Sequence, residues 1–315
     1  MKIYILHEND EWTRPLLEAL EEEGVPFEDW HLSEGTVPLD EAPPEGIYYN
    51  RMSASSHSRG HRYAPELAHS VLIWLESHNR PVYNNSQALN LELSKTAQYE
   101  ALKAFDIPVP KTTAVLGNSQ LIKAAENFGT PFITKHNRAG KGLGVHKFDS
   151  PEALKNAVEG GTIEQPVDGI MLLQQYINAP DNSIIRCEFV GGKFLYAVKV
   201  DTSEGFELCP AEACDIQEQF CPADSPEPAA ETTRPKFEII EGFSSPLIKK
   251  YEAFLKANGI TFAGIEQITD SKGQTFTYDV NTNTNYNPQA QEKAGVYGMN
   301  EVARFLKGKL ETLLV

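Results

Sequence analysis

Short apolar runs separated by amphipathic stretches set the architecture from the first residues onward. Residues 2–6 make an apolar run of strand length, and the stretch from about Glu11 to Glu22 then carries Trp12, Leu16, Leu17 and Leu20 at helical spacing. Gly24 ends that helix, Val25 to Leu32 supplies a second strand, proline-rich Val37–Glu45 connects, and Gly46–Asn50 supplies a third strand. Pro65–His78 reads as an amphipathic helix with Leu67, Val71, Leu72 and Leu75, Pro81–Tyr83 as a short strand, and Ser94 as the cap of a helix running to about Phe105. Alternation of strand and helix predicts a small parallel α/β domain.

Ile107-Pro-Val-Pro-Lys-Thr112 interrupts the pattern and puts a boundary between about Pro108 and Thr112. Beyond it come strand Thr113–Leu116, a helix capped by Asn118 or Ser119 and ending at Phe128, strand Pro131–Lys135, a glycine-rich segment, and a strand closing at Phe148. A helix over Ser150–Val158 and an apolar strand over Gly169–Ile177 follow. Ser183–Val190 and Lys193–Asp201 form a hairpin turned by Gly191-Gly192. Proline and acid dominate Cys214 to Pro235, where a mobile loop is expected. A helix over Ser245–Asn258 stops at Gly259, strands Thr261–Thr269 and Thr275–Val280 pair around Asp270-Ser-Lys-Gly273, and Asn300 to about Leu314 closes the chain as a helix. No internal repeat is visible.

Composition narrows the function class more than the fold. A net charge of −16 and a pI near 5.0 disfavour a general nucleic-acid binder or a protein held on an anionic membrane, while leaving room for a local basic pocket. No apolar run approaches the roughly 20 residues of a membrane helix, and the start lacks a signal-peptide pattern, so a cytoplasmic location is expected. Cys209, Cys214 and Cys221 lie close together but form no Cys-x-x-Cys pair, which favours reduced thiols in a loop over zinc.

Several stretches carry candidate chemistry. Asn50 to Arg62 follows the third strand, where α/β folds place ligands, and holds Arg51, Arg59 and Arg62; it reads as a site for a substrate carboxylate or as a solvated basic loop. Lys95 starts a helix, where a cation works against the macrodipole. In His136-Asn-Arg-Ala-Gly-Lys-Gly-Leu-Gly-Val145, Gly140, Gly142 and Gly144 let backbone amides approach phosphate oxygens, in a hairpin that is neither a Walker nor a Rossmann motif. Asp279 and Asn281 point to one side of a strand, with Glu266 opposite, and offer the hard oxygens that magnesium needs. Asn283, Asn285 and Asn287 extend the polar strip, and an asparagine-rich turn is the simpler explanation of all four amides.

In order, these segments resemble the ATP-grasp superfamily, and within it the RimK-type carboxylate–amine ligases of the alpha-L-glutamate ligase kind, over roughly Leu93 to Asn287. The resemblance rests on Leu-Ser-Lys95-Thr, on Lys135 and the Gly142/Gly144/Val145 register, on Gln174-Gln-Tyr-Ile177, on Ile184-Ile-Arg186 and on Asp279-Val-Asn281. It implies an ATP-grasp fold: an N-terminal parallel α/β domain (1–110), then a central α+β subdomain with a glycine-rich lid (111–178) and a C-terminal one with a metal site (179–315), the last two clamping ATP. Lys95, Lys135, Arg138, Gly140, Lys141, Gly142, Gly144, Gln174, Gln175, Tyr176 and Ile177 would then bind the nucleotide. Glu266, Asp279 and Asn281 would hold magnesium (or manganese), Arg186 and Lys199 would act catalytically, and Arg51, Arg59, Arg62, Asn283 and Asn285 would face substrate. The implied reaction joins a carboxylate, activated by ATP as an acylphosphate, to an amine, releasing ADP and phosphate. An amino acid or small peptide is the expected substrate, and a homo-oligomer is compatible with the resemblance.

The departures from the family pattern are specific. His136 stands where the family has proline, Ala139 and Gly140 replace the lid's first glycine and hydroxyl residue, Gln175 replaces the hinge glutamate, and Ile184 replaces an aspartate. Val-Lys199-Val and Phe206-Glu-Leu-Cys lack two family arginines. These changes argue for a branch with its own substrate. They also keep open a peptide-modifying ligase using the same ATP site, and a nucleotide-binding regulator without catalysis.

Overall fold

The computed structural model describes residues 1–140, 142, 144–203 and 236–314. Strands β1 (Lys2–His7), β2 (Phe27–His31), β3 (Gly46–Asn50) and β4 (Val82–Tyr83) form a parallel sheet in the order β2-β1-β3-β4. Its crossovers are α1 (Asp10–Glu22) and α2 (Ala64–Ser77). The continuous apolar run in β1 has a physical cause, since both faces of this sheet are covered. Ile3 and Ile5 enter one core with Leu16 and Leu20 of α1, whereas Tyr4 and Leu6 enter another with Ala68, Leu72 and Leu75 of α2.

Two short helices follow, α3 (Ser86–Leu93) and α4 (Lys95–Lys103). The sequence reading placed only the second. Leucines 89, 91 and 93 alternate and hide the helical period, although Asn85 caps α3 by accepting the Ala88 N–H at 3.1 Å. The next sheet contains β5 (Thr112–Leu116), β6 (Phe132–His136), β7 (His146–Phe148) and β8 (Ile170–Gln175) in the order β5-β8-β6-β7. Helices α5 (Asn118–Glu126) and α6 (Pro151–Glu159) cover it through Leu121, Ala125 and Leu154.

The third sheet is antiparallel: β9 (Ser183–Val190), β10 (Lys193–Asp201), β11 (Phe237–Ile240), β12 (Ala263–Thr269) and β13 (Thr275–Asn281), in the order β11-β10-β9-β12-β13. Helix α7 (Leu247–Ala257) packs on one face, with Tyr251, Phe254 and Leu255 against Phe189 and Ile265. Helices α8 (Pro288–Ala294) and α9 (Gly298–Leu313) complete the chain, and α9 sends Val302, Ala303 and Leu306 into the core that holds Ile3 and Leu16. First and last segments therefore share one core. Strand β11 and helix α8 are additional to the expected elements, and α9 starts two residues before the expected Asn300. The Cys209/Cys214/Cys221 group and the loop expected over Cys214–Pro235 lie outside the described residues. Among the described residues, no helix is long and apolar enough to cross a membrane.

Asn84 joins the first sheet to the third. It sits at φ 55°, a left-handed conformation that asparagine tolerates, and is fully buried. Its Nδ2 donates to the carbonyls of Phe262 (3.0 Å) and Thr282 (2.8 Å), and its Oδ1 accepts the N–H groups of Thr261 (2.7 Å) and Phe262 (3.1 Å). Asn84→Ala leaves those groups without partners, at about 1–3 kcal/mol for each buried polar group stranded. Urea denaturation should show a loss of about 4 kcal/mol or more, the low end for four such groups; a change below about 1 kcal/mol would deny Asn84 this role.

Candidate active site

The second and third sheets, with α1, α4 and the loop after β3, line one cavity of about 400 Å³. Lys95 opens α4 directly after its cap, where Ser94 Oγ accepts the Ala97 N–H. The unfavourable end of the helix dipole is offset by Asp279: Lys95 Nζ donates to Asp279 Oδ1 at 3.0 Å and to the Ala139 carbonyl at 2.9 Å. Lys135, near the end of β6, is equally enclosed. Its ammonium lies 3.2 Å from the Tyr99 hydroxyl and 3.4 Å from the Tyr278 carbonyl, and 5.5 Å from the centre of the Tyr278 ring.

Burial holds Lys135 below the usual lysine pKa, with Asp279 and Glu266 pulling it partway back. An anionic phosphate placed beside it restores the charged form. Nucleotide binding at alkaline pH, below the ordinary lysine range, should therefore take up protons. Calorimetry in two buffers of different ionisation enthalpy measures this, and Lys135→Arg should reduce the uptake.

The acids come from the β12–β13 hairpin, which pairs Glu266 with Asp279 just before a register shift. Burial pushes the Glu266 carboxyl above its usual pKa; Arg186 opposes that shift and Asp279 adds to it. Asp279 is driven the other way: burial would raise it, but Lys95 and Lys135 together hold it below the usual range. Asn281 Nδ2 lies 3.4 Å from Glu266 Oε1, so turning the amide over presents Oδ1 on the same side. Two carboxylates and an amide oxygen, within reach of one another and of cavity space, fit magnesium.

Arg186 lies between two acids. Its Nε donates to Glu188 Oε1 (2.6 Å), Nη1 to Glu266 Oε1 (2.9 Å) and Nη2 to Thr284 Oγ1 (2.7 Å), and Thr284 Oγ1 donates to Glu188 Oε2 (2.7 Å). Burial opposes its charge, but Glu188 and Glu266 more than restore it. The guanidinium lies flat against Gly264, where a Cβ would come within 2.4 Å of Nη2. Only glycine fits there.

The hinge and lid residues divide. Gln174, Gln175, Tyr176 and Ile177 all line the cavity, with Gln174 Nε2 donating to the Tyr99 hydroxyl at 2.7 Å. Gly140 and Gly142 line it as well. Gly144, at φ +72°, instead leaves room for His136, whose ring a Cβ would meet at 2.6 Å. Lys141 lies outside the described residues.

The remaining cations sit elsewhere. Arg138 is buried away from the lining, donating to Glu66 Oε1 at 2.9 Å. Lys199 is on the surface, paired with Asp181 at 2.8 Å. Arg51 is an interior strut: Nη2 donates to the Trp12 carbonyl and to Asn285 Oδ1, both at 3.0 Å. Arg59 is paired with buried Glu8, and Arg62 donates to Glu66 and the Val167 carbonyl. In so acidic a chain each of these four arginines finds an oxygen acceptor nearby, and the loop expected to meet a substrate carboxylate has its three guanidinium groups engaged.

The cavity wall from that region is formed by Trp12, Ser53 and Ser55. The arginines beside them are the stronger sequence signal, although both serines stand beyond the carboxyl end of β3. Asn283 and Asn285 also line the cavity, alternating with buried Thr282 and Thr284, so the asparagine strip continues the strand's two-residue period. Asn287 leaves the strip: it caps α8, accepting the Ala290 N–H at 2.8 Å. Glu92 is a missed acid. Its Oε1 accepts the Ala54 N–H (3.1 Å) and its Oε2 the Thr282 N–H (2.7 Å), and burial raises its pKa. A charged residue inside Leu91-Glu92-Leu93 was the available signal.

Residues 92–207 match the model of the RimK-like ATP-grasp domain. A probable alpha-L-glutamate ligase of Mannheimia succiniciproducens is 31% identical over 137 residues, which cover 43% of this chain and 44% of that protein. The chain thus aligns with less than half the length of this curated relative. Among solved structures, a RimK domain ATP-grasp protein of Sphaerobacter thermophilus superposes with a TM-score of 0.66 at 18% identity, covering 97% of this chain and 99% of that one. The ATP-grasp ligase PsnB, complexed with a minimal precursor, Mg and ADP, gives 0.65 at 15% identity over 98% and 97%. Residues 92–207 thus match a RimK-like ATP-grasp domain, and nearly the whole length of the chain takes the ATP-grasp fold.

Proposed function

We propose that the protein is an ATP-dependent ligase that joins a carboxylate to an amine through an acylphosphate, with an amino acid or small peptide as substrate. The observation carrying this reading is the convergence of Lys95, Lys135, Arg186, Glu266, Asp279 and Asn281 on one cavity, with the two carboxylates facing each other across a hairpin. Phosphoryl transfer asks chiefly for positioning and charge neutralisation, and this inventory supplies both.

Lys95 and Lys135 hold phosphate oxygens of ATP, while Gln174 to Ile177 hold the base. Magnesium on Glu266, Asp279 and Asn281 would screen the charge of the phosphate chain. The substrate carboxylate oxygen attacks the γ-phosphorus and ADP leaves; the amine then attacks the acyl carbon, expels phosphate and loses a proton. Arg186 stabilises the transferring group, and Trp12, Ser53, Ser55, Asn283 and Asn285 contact the substrates. Gly140 and Gly142 belong to a lid that keeps water from the acylphosphate.

The test is a screen of amino acids and short peptides, as acids and as amines, for ADP release that requires both partners. Substrate-dependent ADP release with a new amide bond supports the reading. Tight nucleotide binding without ADP release across the panel would favour a regulatory protein instead.

A further inference from the structure

A second group of side chains lies at the carboxyl ends of β1 and β2, apart from the phosphate-site residues. Among the described residues, His7, Asp10 and His31 are the one set of three histidine, cysteine or acidic groups whose ligand atoms all lie within 4.8 Å of one another. His7 closes β1, His31 closes β2, and Asp10 opens α1. The parallel sheet thus brings together residues 24 positions apart in sequence, at the edge where open α/β sheets bind ligands.

Each ring already has one nitrogen engaged. His7 Nε2 meets Asp29, and His31 Nδ1 lies 3.0 Å from the Ser33 hydroxyl. Of the other two nitrogens, His31 Nε2 lies 3.6 Å from Asp10 Oδ1, and His7 Nδ1 accepts the Asn9 N–H at 3.2 Å, a hydrogen bond that a bound metal would replace. A carboxylate or hydroxyl on the far nitrogen is the usual support of a metal-bound imidazole, because it fixes the tautomer and the ring. His7 is buried, while His31 and Asp10 stay accessible, so a cation could enter from solvent and keep a position for water. His61 stacks edge-on to His31 but directs Nδ1 to Glu8.

We infer that His7, Asp10 and His31 form a site for a borderline divalent metal of the zinc type, with Asp29 and Ser33 supporting the rings. Two nitrogens and one carboxylate oxygen suit zinc better than magnesium. The site is built independently of the proposed ligase reaction. It lies two residues from Trp12, which lines the cavity and carries the Arg59 guanidinium 4.7 Å above its ring. A bound metal would tie the first turn of α1 to the end of β2 and stiffen that wall.

The probe is zinc chloride titrated into the full chain with excess magnesium present, read by calorimetry and by the rise in Tm. Wild-type protein should bind one more equivalent than His31→Ala or Asp10→Ala, both accessible positions whose loss leaves the core intact. Asp29→Asn should weaken that equivalent about 10–100-fold without removing a ligand. Absence of saturable zinc binding, or equal stoichiometry and affinity in wild type and both alanine variants, would overturn the assignment.

Discussion

Asp279→Ala is expected to lower amide-forming turnover by about a thousandfold or more, the scale of losing a main electrostatic contact in a transition state. Two losses combine. The proposed metal set would fall from two carboxylates to one, and Lys95 and Lys135 lose the acid that balances them in a buried setting. Leaving one member of a buried ion pair alone costs about 3–5 kcal/mol, so the alanine variant should also be less stable. Asp279→Asn separates the two effects. It keeps the volume and an oxygen ligand, and should recover more of the stability than of the turnover. ADP release and urea denaturation, measured on both variants, make the comparison. Turnover near wild type in either one would remove Asp279 from the reaction.

Arg186→Ala has the second large effect, and it falls on stability as heavily as on chemistry. Arg186 donates to Glu188, Glu266 and Thr284, and its removal leaves two carboxylates without their shared cation, Glu188 in the interior and Glu266 on the cavity wall. A loss of about 3–5 kcal/mol follows, with Tm falling accordingly. Arg186→Lys keeps the charge but cannot form the three-way fork, so it should restore only part of the stability. Raising the magnesium concentration offers a separate readout. A metal on Glu266 relieves one of the stranded acids, so magnesium should stabilise Arg186→Ala more than wild type. Equal stabilisation of both proteins would contradict this picture of a shared carboxylate.

The parts of this site legible in the sequence are those whose chemistry is tied to a local pattern. Asp279 and Asn281 are two apart on a strand, Lys135 ends a strand before a glycine-rich segment, and Gln174 to Ile177 end another; each holds its place by backbone period alone. The pairings of the arginines are not legible in this way, because their partners are distant in sequence. Arg59 meets Glu8, Arg138 meets Glu66 and Arg51 meets Asn285, and no short pattern announces such pairings. Glu92 and Asn84 are hidden for the same reason: each is buried, and each is satisfied across elements that only the tertiary fold brings together. The fold shows a similar divide. Strongly periodic segments such as α1 and β1 were plain, whereas α3 was masked by alternating leucines and β11 is only four residues long.

The central claim is that the substrate carboxylate is activated as an acylphosphate in the cavity between Lys135 and Asp279. Oxygen transfer tests it most directly. With an acid substrate found by the screen and labelled with oxygen-18 in its carboxylate, each turnover should move one labelled oxygen into the released phosphate, and the nucleotide product should be ADP. Unlabelled phosphate accompanying amide formation, or AMP and pyrophosphate as products, would contradict the account.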